Sequence, residues 1–257
     1  MKRKNAYLLY FTLWLILPAF AQTPTRPAYM KRAEIGETNG RVHVASNSPR
    51  PLQQTLDALQ QKYGWTINYE DPRYISRLDV VEAPDEQKTM RIPAGGDFSA
   101  DFVAPAKDST KDEEKTLRGI LDSYNHSQNP GRFELRISPQ GDLDVVGVAA
   151  HDAKGEISQQ EVLFDLPVTF PNKERTIIET IELICNQLTE RSHFTVAAGV
   201  YPRSTIGHAS IVLGGDKTPA RQLLRQCLQS TKRKLHWRLL FDPESNSYFL
   251  NVHSQPN

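Results

Sequence analysis

The chain has 257 residues, 39% of them hydrophobic and 24% charged, a balance that suits one large or two ordinary globular domains and excludes a mostly disordered chain. Its 14 glycines and 17 prolines fall without period, which excludes collagen-like and low-complexity architectures. The formal charge is +1, and Lys2, Arg3 and Lys4 at the N-terminus exceed that whole surplus, so the remainder lacks the basic footprint of a dedicated nucleic-acid binder.

These three basic residues precede an apolar run from Ala6 to Phe20, and Ala19-Phe20-Ala21 places small residues at the two positions a signal peptidase reads. The segment predicts a signal peptide over residues 1–21, cleaved before Gln22. A retained anchor is the alternative, but the run turns polar at Gln22, short of the about 20 apolar residues a bilayer needs. The expected mature protein is periplasmic or secreted, without a later membrane span; no Cys directly follows the cleavage site to carry a lipid. Residues 22–40, with Pro24 and Pro27 and no apolar periodicity, read as a flexible leader.

Ordered patterning begins with a strand at Arg41 to Ala45. From Pro51, Leu52, Leu56, Leu59 and Tyr63 form one helix face, stopped by Gly64, and Trp65, Ile67 and Tyr69 alternate as a strand. Ser99 to Ala104 predicts a strand and Asp112 to Tyr124 a helix with Leu117, Ile120, Leu121 and Tyr124 inward. Phe133, Leu135 and Ile137, a turn at Pro139-Gln140-Gly141, and Leu143 and Val145 predict a hairpin. After a polar linker over 151–162 the order returns. Leu166 to Phe170 reads as a strand, and Ile178, Ile181, Cys185 and Leu188 line a helix. Phe194 to Ala198 and Ser210 to Leu213 read as strands, and Thr218 with Pro219 opens a helix whose stripe is Leu223, Leu224, Cys227 and Leu228. Trp237, Leu239 and Phe241 form one strand, Asp242 to Asn246 a turn, and Tyr248, Leu250 and Val252 the last strand. The expected fold is α+β: two tandem small domains, 41–150 and 163–257, each strand-helix-strand-strand-helix-strand-strand with two helices packed on a mixed β-sheet.

The run Pro51-Leu52-Gln53-Gln54-Thr55-Leu56-Asp57-Ala58-Leu59, continuing through Tyr63-Gly64-Trp65-Thr66-Ile67-Asn68-Tyr69, resembles the opening helix and strand of the secretin and TonB N-terminus short domain. Thr116-Leu117-Arg118-Gly119-Ile120-Leu121 is similar to its second helix in the first half. Leu223-Leu224-Arg225-Gln226-Cys227-Leu228, with Leu235 and Trp237, is similar in the second. The resemblance spans most of 41–150 and 163–253. It implies contacts passed between an outer-membrane machine and its partners, hence an envelope protein partner. Two departures stand out: the chain carries no barrel, and the first half holds an insertion, Asp71 to Asp97, longer than the corresponding Gly199 to Ala209.

Chemistry-bearing motifs are scarce. Gly214-Gly215-Asp216-Lys217-Thr218 lies between a strand and a helix, but a phosphate loop requires Gly where Asp216 stands, so the stretch reads as a turn and N-cap. The seven histidines, His43, His126, His151, His193, His208, His236 and His253, show no ligand spacing, and a zinc site needs about three or four converging ligands. Asp112, Glu113 and Glu114 fit a helix's first turn. No hydrolase elbow, metalloprotease helix or dinucleotide fingerprint occurs, so no catalytic residue, cofactor or metal is expected. Two candidate interaction surfaces stand out: Tyr69, Glu70, Asp71, Arg73 and Tyr74 at the insertion, where a plain surface loop would look the same, and the basic turn Lys232, Arg233, Lys234 with His236, Trp237 and Arg238, for which the favoured reading is a solvated turn followed by a strand whose Trp237 faces the core. Cys185 and Cys227, inward on neighbouring helices of an exported domain, predict a disulfide, with two buried thiols as the alternative. The expected function is a non-enzymatic, exported interaction or assembly module whose sheet edges and helix faces accept a partner, a second copy among the possibilities. The rival is a periplasmic enzyme or cell-wall glycan binder with its site in the interdomain cleft or under the insertion.

Overall fold

The computed structural model describes residues 32–83, 90–106 and 109–255; the expected signal peptide and the leader up to residue 31 lie outside them. The chain is α+β. Its first half runs β1 (Glu34–Thr38), β2 (Arg41–Asn47), α1 (Pro51–Tyr63), β3 (Ile67–Glu70), β4 (Val80–Glu82), β5 (Arg91–Pro93), β6 (Asp97–Val103), α2 (Thr110–Asn125), β7 (Arg132–Ile137), β8 (Leu143–His151) and β9 (Ile157–Gln159). A 3-10 turn at Leu163–Asp165 leads to β10 (Pro167–Thr176), α3 (Ile177–Ser192), β11 (Thr195–Ala198), α4 (Arg203–Ile206), β12 (Ser210–Pro219), α5 (Ala220–Gln229), β13 (Leu235–Asp242) and β14 (Ser247–Ser254).

The helices start and stop where local chemistry directs. Pro51 at the first turn fixes φ where no N–H partner is needed, and Gly64 at φ 73° closes α1 by donating its N–H to the Gln60 carbonyl at 2.9 Å. α3 opens on a reciprocal cap: Thr176 Oγ1 accepts from the Glu179 N–H at 3.1 Å while Glu179 Oε2 accepts from the Thr176 N–H at 2.8 Å. His193 occupies the position corresponding to Gly64, also left-handed at φ 61°.

The two halves repeat one topology. In the first, β3 runs parallel to β8 and β7 antiparallel to β8; in the second, β11 runs parallel to β14 and β13 antiparallel to β14. A smaller antiparallel sheet, β1-β2-β6 in one half and β10-β12 in the other, closes the far side of each helix pair. One core gathers Val44, Phe98 and Ala100 from the small sheet, Leu52, Leu56, Leu117 and Ile120 from α1 and α2, and Ile67, Tyr69 and Val145 from the large sheet. The other gathers Val168, Ile181, Leu188, Leu224, Trp237, Leu239 and Leu250 in the same layering.

The large sheet does not stop at the domain boundary. β13 pairs in parallel with β3, Arg238 opposite Tyr69 and Leu239 opposite Glu70, giving the single order β11-β14-β13-β3-β8-β7. Tyr69 belongs to the first core and Leu239 to the second, so the two helix pairs cover opposite faces of this sheet. β11 also runs opposite to its counterpart β3. The halves are therefore related by a half-turn about the axis crossing the strands together with a shift of three strands along it.

Several local expectations need correction. Residues 34–38 of the expected leader form β1, because their backbone pairs with β2. The stretch read as a linker carries β9, which extends the sheet beside β8 through Ala149–Gln159 and His151–Ile157. Gly214 to Thr218 is strand rather than turn and cap: β12 runs to Pro219 along β10 with two register shifts, and the cap position of α5 is Pro219, with no side-chain cap bond. The Ala220 N–H is met instead by the Leu166 carbonyl at 3.0 Å.

Candidate functional site

The insertion residues predicted as a surface are mostly a fastening. Asp71 is buried, and its carboxylate accepts from Arg50 Nε at 2.7 Å, Tyr69 OH at 2.7 Å, Tyr74 OH at 3.1 Å and the Phe241 N–H at 3.0 Å. The Asp71 N–H donates to the Leu239 carbonyl at 2.9 Å, so the chain leaving β3 continues the pairing with β13. Pro72 lies against Gly147, where a β-carbon would fall 2.3 Å from the proline ring. Burial pushes the Tyr69 and Tyr74 phenols well above their ordinary range. Buried Asp79 accepts from the His151 N–H at 2.8 Å and contacts His151 Nδ1 at 2.6 Å, tying the insertion to β8.

Glu70 turns to the opposite face of the sheet. Its carboxylate meets Arg221 of α5 at 2.5 Å and accepts from the Phe164 N–H at 3.1 Å. Arg221 also reaches Asp165 at 3.1 Å, and Arg225 holds Asp144 at 2.6 Å and Asp142 at 2.8 Å. Asn68 donates to Asp144 at 2.8 Å and accepts from the Trp237 N–H at 3.1 Å. Burial raises the Glu70 pKa and Arg221 opposes that shift. Glu70 and Asp144 do converge, but each is buried and matched by an arginine, the arrangement of a structural lock between halves. Among the insertion residues, Arg73 lines an open cavity of about 350 Å³, its guanidinium 4.8 Å from the Phe194 ring centre and its backbone clasped by the Gln160 amide at 2.7 and 2.9 Å.

The larger concavity lies on the other face. The first-half helices cover only part of β13, leaving a groove of about 1040 Å³ between the outer side of α1 and the β13–β14 surface. Gln53, Gln54, Gln60 and Gln61 line the helix side, His236 and His253 the sheet side, and Arg238 the seam. Arg238 is 2% exposed: Nη2 reaches Asp57 Oδ1 at 2.7 Å and also donates to Gln60 Oε1, while Nη1 donates to the Ile67 carbonyl. The His236 and His253 rings stack at 5.4 Å. Burial, with Arg238 and His253 adding to it, lowers the His236 pKa to about 3, so the imidazole is neutral near pH 7. Gln60 Nε2 and His236 Nδ1 are buried without a partner among the described residues. The groove is thus polar and rich in side-chain amides, with the Arg238–Asp57 ion pair at its seam and Arg32 and Lys62 also in its lining.

The expected basic surface divides: Lys232, Arg233 and Lys234 are exposed on the turn, whereas His236, Trp237 and Arg238 are buried. Asp216 and Lys217 sit on exposed strand, and the Lys217 N–H donates to Thr169 Oγ1 at 2.9 Å, so these amides form no phosphate cradle. Cys185 and Cys227 are both buried thiols, not a disulfide. The Cys227 sulfur faces the Ile177 carbonyl at 3.8 Å, and Cys185 lies two turns further along α3, about 12 Å of helix rise.

Sequence reasoning passed over Gln60 and Arg238 as groove residues; the row of glutamines on α1 was the available signal. No helix among the described residues is long and apolar enough to cross a membrane. Compared with protein-family models, with curated proteins and with solved structures, the chain matches none.

Proposed function

We propose that this protein is an exported, non-enzymatic interaction module of the cell envelope, working as the secretin and TonB short domains do, and that its partner polypeptide docks in the groove between α1 and the β13–β14 face. The observation that carries this reading is the groove's chemistry. A peptide group offers one N–H and one C=O; Gln53 already donates to Asp57, Gln54 accepts from Ser46 and Gln60 accepts from Arg238, so each of these keeps one amide end for a peptide group while Gln61 presents both. Gln60 Nε2 and His236 Nδ1 add two buried hydrogen-bonding atoms with no partner among the described residues. Where carboxylates converge, at Glu70 and Asp144, arginines neutralise them and burial closes them from substrate, which favours docking over acid-base chemistry.

A photocrosslinking amino acid in place of exposed Gln61, compared with one in place of exposed Gln140 on the β7–β8 turn, tests the reading in intact cells. The expected result is a discrete protein adduct at Gln61, weakened by Gln53→Ala and His253→Ala. Equal adducts at both positions overturn it. An adduct at Gln61 that is removed by glycan digestion establishes the cell-wall reading instead.

A further inference from the structure

The half-turn that relates the two halves also relates their edges. β7 is the counterpart of β13, and β11 the counterpart of β3; the inner pair forms the joint, while among the described residues β7 pairs with β8 alone and β11 with β14 alone. One chain therefore ends in the same two kinds of edge that it joins at its centre. Following strand directions across the sheet, β7 runs the same way as β11, so a second copy shifted by six strands, about 29 Å, would lay its β11 parallel to β7. Such a contact is heterologous and would propagate.

At both ends a side chain occupies the edge backbone. The Asn125 amide at the end of α2 donates to the Phe133 carbonyl at 2.8 Å and accepts from the Phe133 N–H at 2.9 Å, as a neighbouring strand's peptide would. Thr189 Oγ1 on α3 accepts from the Val196 N–H at 2.9 Å and is 3.3 Å from the Val196 carbonyl. At the joint these duties pass to the neighbouring half. Trp237, counterpart of Phe133, gives its N–H to Asn68 at 3.1 Å, and Ile67, counterpart of Val196, gives its carbonyl to Arg238. The positions corresponding to Asn125 and Thr189 are there Lys232, which is exposed, and Gln60, which bonds Arg238. Guards stand at the two free edges and are missing from the two joined ones.

We propose that Asn125 and Thr189 are edge guards that confine the sheet to one chain, and that without them the central joint recurs between copies, β7 of one chain on β11 of the next. Covering a sheet edge in this way suppresses strand pairing between molecules. The β11 edge lacks the joint's polar fasteners, Asn68, Glu70 and Asp71 being replaced there by Ala197, Gly199 and Val200, so the recurring contact would rest on backbone pairing.

The test is sedimentation velocity of the mature protein over a wide concentration range, for the unaltered chain, for Asn125→Ala/Thr189→Val, and for that variant with Ile137→Pro. Ile137 is 41% exposed, and its N–H points out of the β7 edge, so proline blocks an incoming strand there at little cost to the fold. The unaltered chain should stay monomeric, the double variant should at least about double its weight-average mass with concentration, and Ile137→Pro should reverse the gain. A folded double variant that stays monomeric, association untouched by Ile137→Pro, or an unaltered chain that already assembles through these edges overturns the proposal. If the double variant fails to fold, amide hydrogen exchange in the unaltered chain decides. Slow exchange at Phe133 and Val196 beside fast exchange at Leu135 and Ala198 supports the guards, and equal rates overturn them.

Discussion

Replacing Arg238 with methionine tests the joint between the halves at its centre. The substitution keeps the apolar stem and removes every donor from a side chain that is 2% exposed. The Ile67 carbonyl and Gln60 Oε1 then lose their buried donor, at about 1–3 kcal/mol for each unsatisfied group. Asp57 loses its partner as well, but its side chain is 45% exposed and takes water instead. The expected cost is therefore about 2–6 kcal/mol, a range that contains the ~3–5 kcal/mol of breaking a buried pair by removing one partner. Asp57→Asn retains an acceptor for the guanidinium in a half-exposed position and should cost less than about 1 kcal/mol. Urea unfolding followed through Trp65 and Trp237, both buried, measures the two variants against the parent. A methionine variant as stable as the parent, or an Asp57→Asn variant damaged as severely, would refute the reasoning.

The depressed pKa of His236 sets an acid sensitivity. A folded pKa of about 3 against an ordinary 6.5 means that this contribution is whole above about pH 6.5 and is lost as pH falls toward 3. At about 1.4 kcal/mol per pKa unit, the span from 6.5 to about 3 is of order 5 kcal/mol. His236→Gln should flatten the stability curve over that window, and superimposable curves would show that the histidine is not held neutral. Both cysteines, pushed up to about 12 by burial, should resist alkylation in the native protein and give two labelled thiols on denaturation without reductant. A Cys185–Cys227 bridged peptide would contradict this. Fragments 41–150 and 163–257 each carry their own helix pair, yet each leaves unmatched charge at the joint; mixing them should raise the melting midpoint of both. Unchanged midpoints would mean that the joint contributes little.

Much of the local structure was legible in the sequence because apolar spacing and capping chemistry act within a few residues. The stripe Leu52, Leu56 and Leu59 with Gly64 located α1, and the alternation of Trp237, Leu239 and Phe241 located β13 and its inward face. The repeated element order was also visible, since each half carries its own periodicities. Gly214 to Thr218 shows where local reading stops: its composition favours a turn, and only the backbone of β10 alongside makes it strand.

What the tertiary structure decided is which residues of one strand meet which distant partners. Arg238 reads locally as the end of a basic surface, yet its contacts are Asp57, Gln60 and Ile67, about 170 to 180 positions earlier in the chain. Glu70 and Asp71 look like adjacent polar loop residues, but successive strand residues point to opposite faces, so one locks to α5 and the other to β13. Asn125 and Thr189 carry no sequence signal at all, because an edge guard is defined by the absence of a neighbouring strand. The sequence by itself determined the helices, the strands and their inward faces, because those depend on spacing along the chain. Only folding determined that the halves share one sheet, where its edges lie, and that a glutamine-lined groove opens between α1 and β13–β14, because each of those depends on surfaces far apart in sequence coming together.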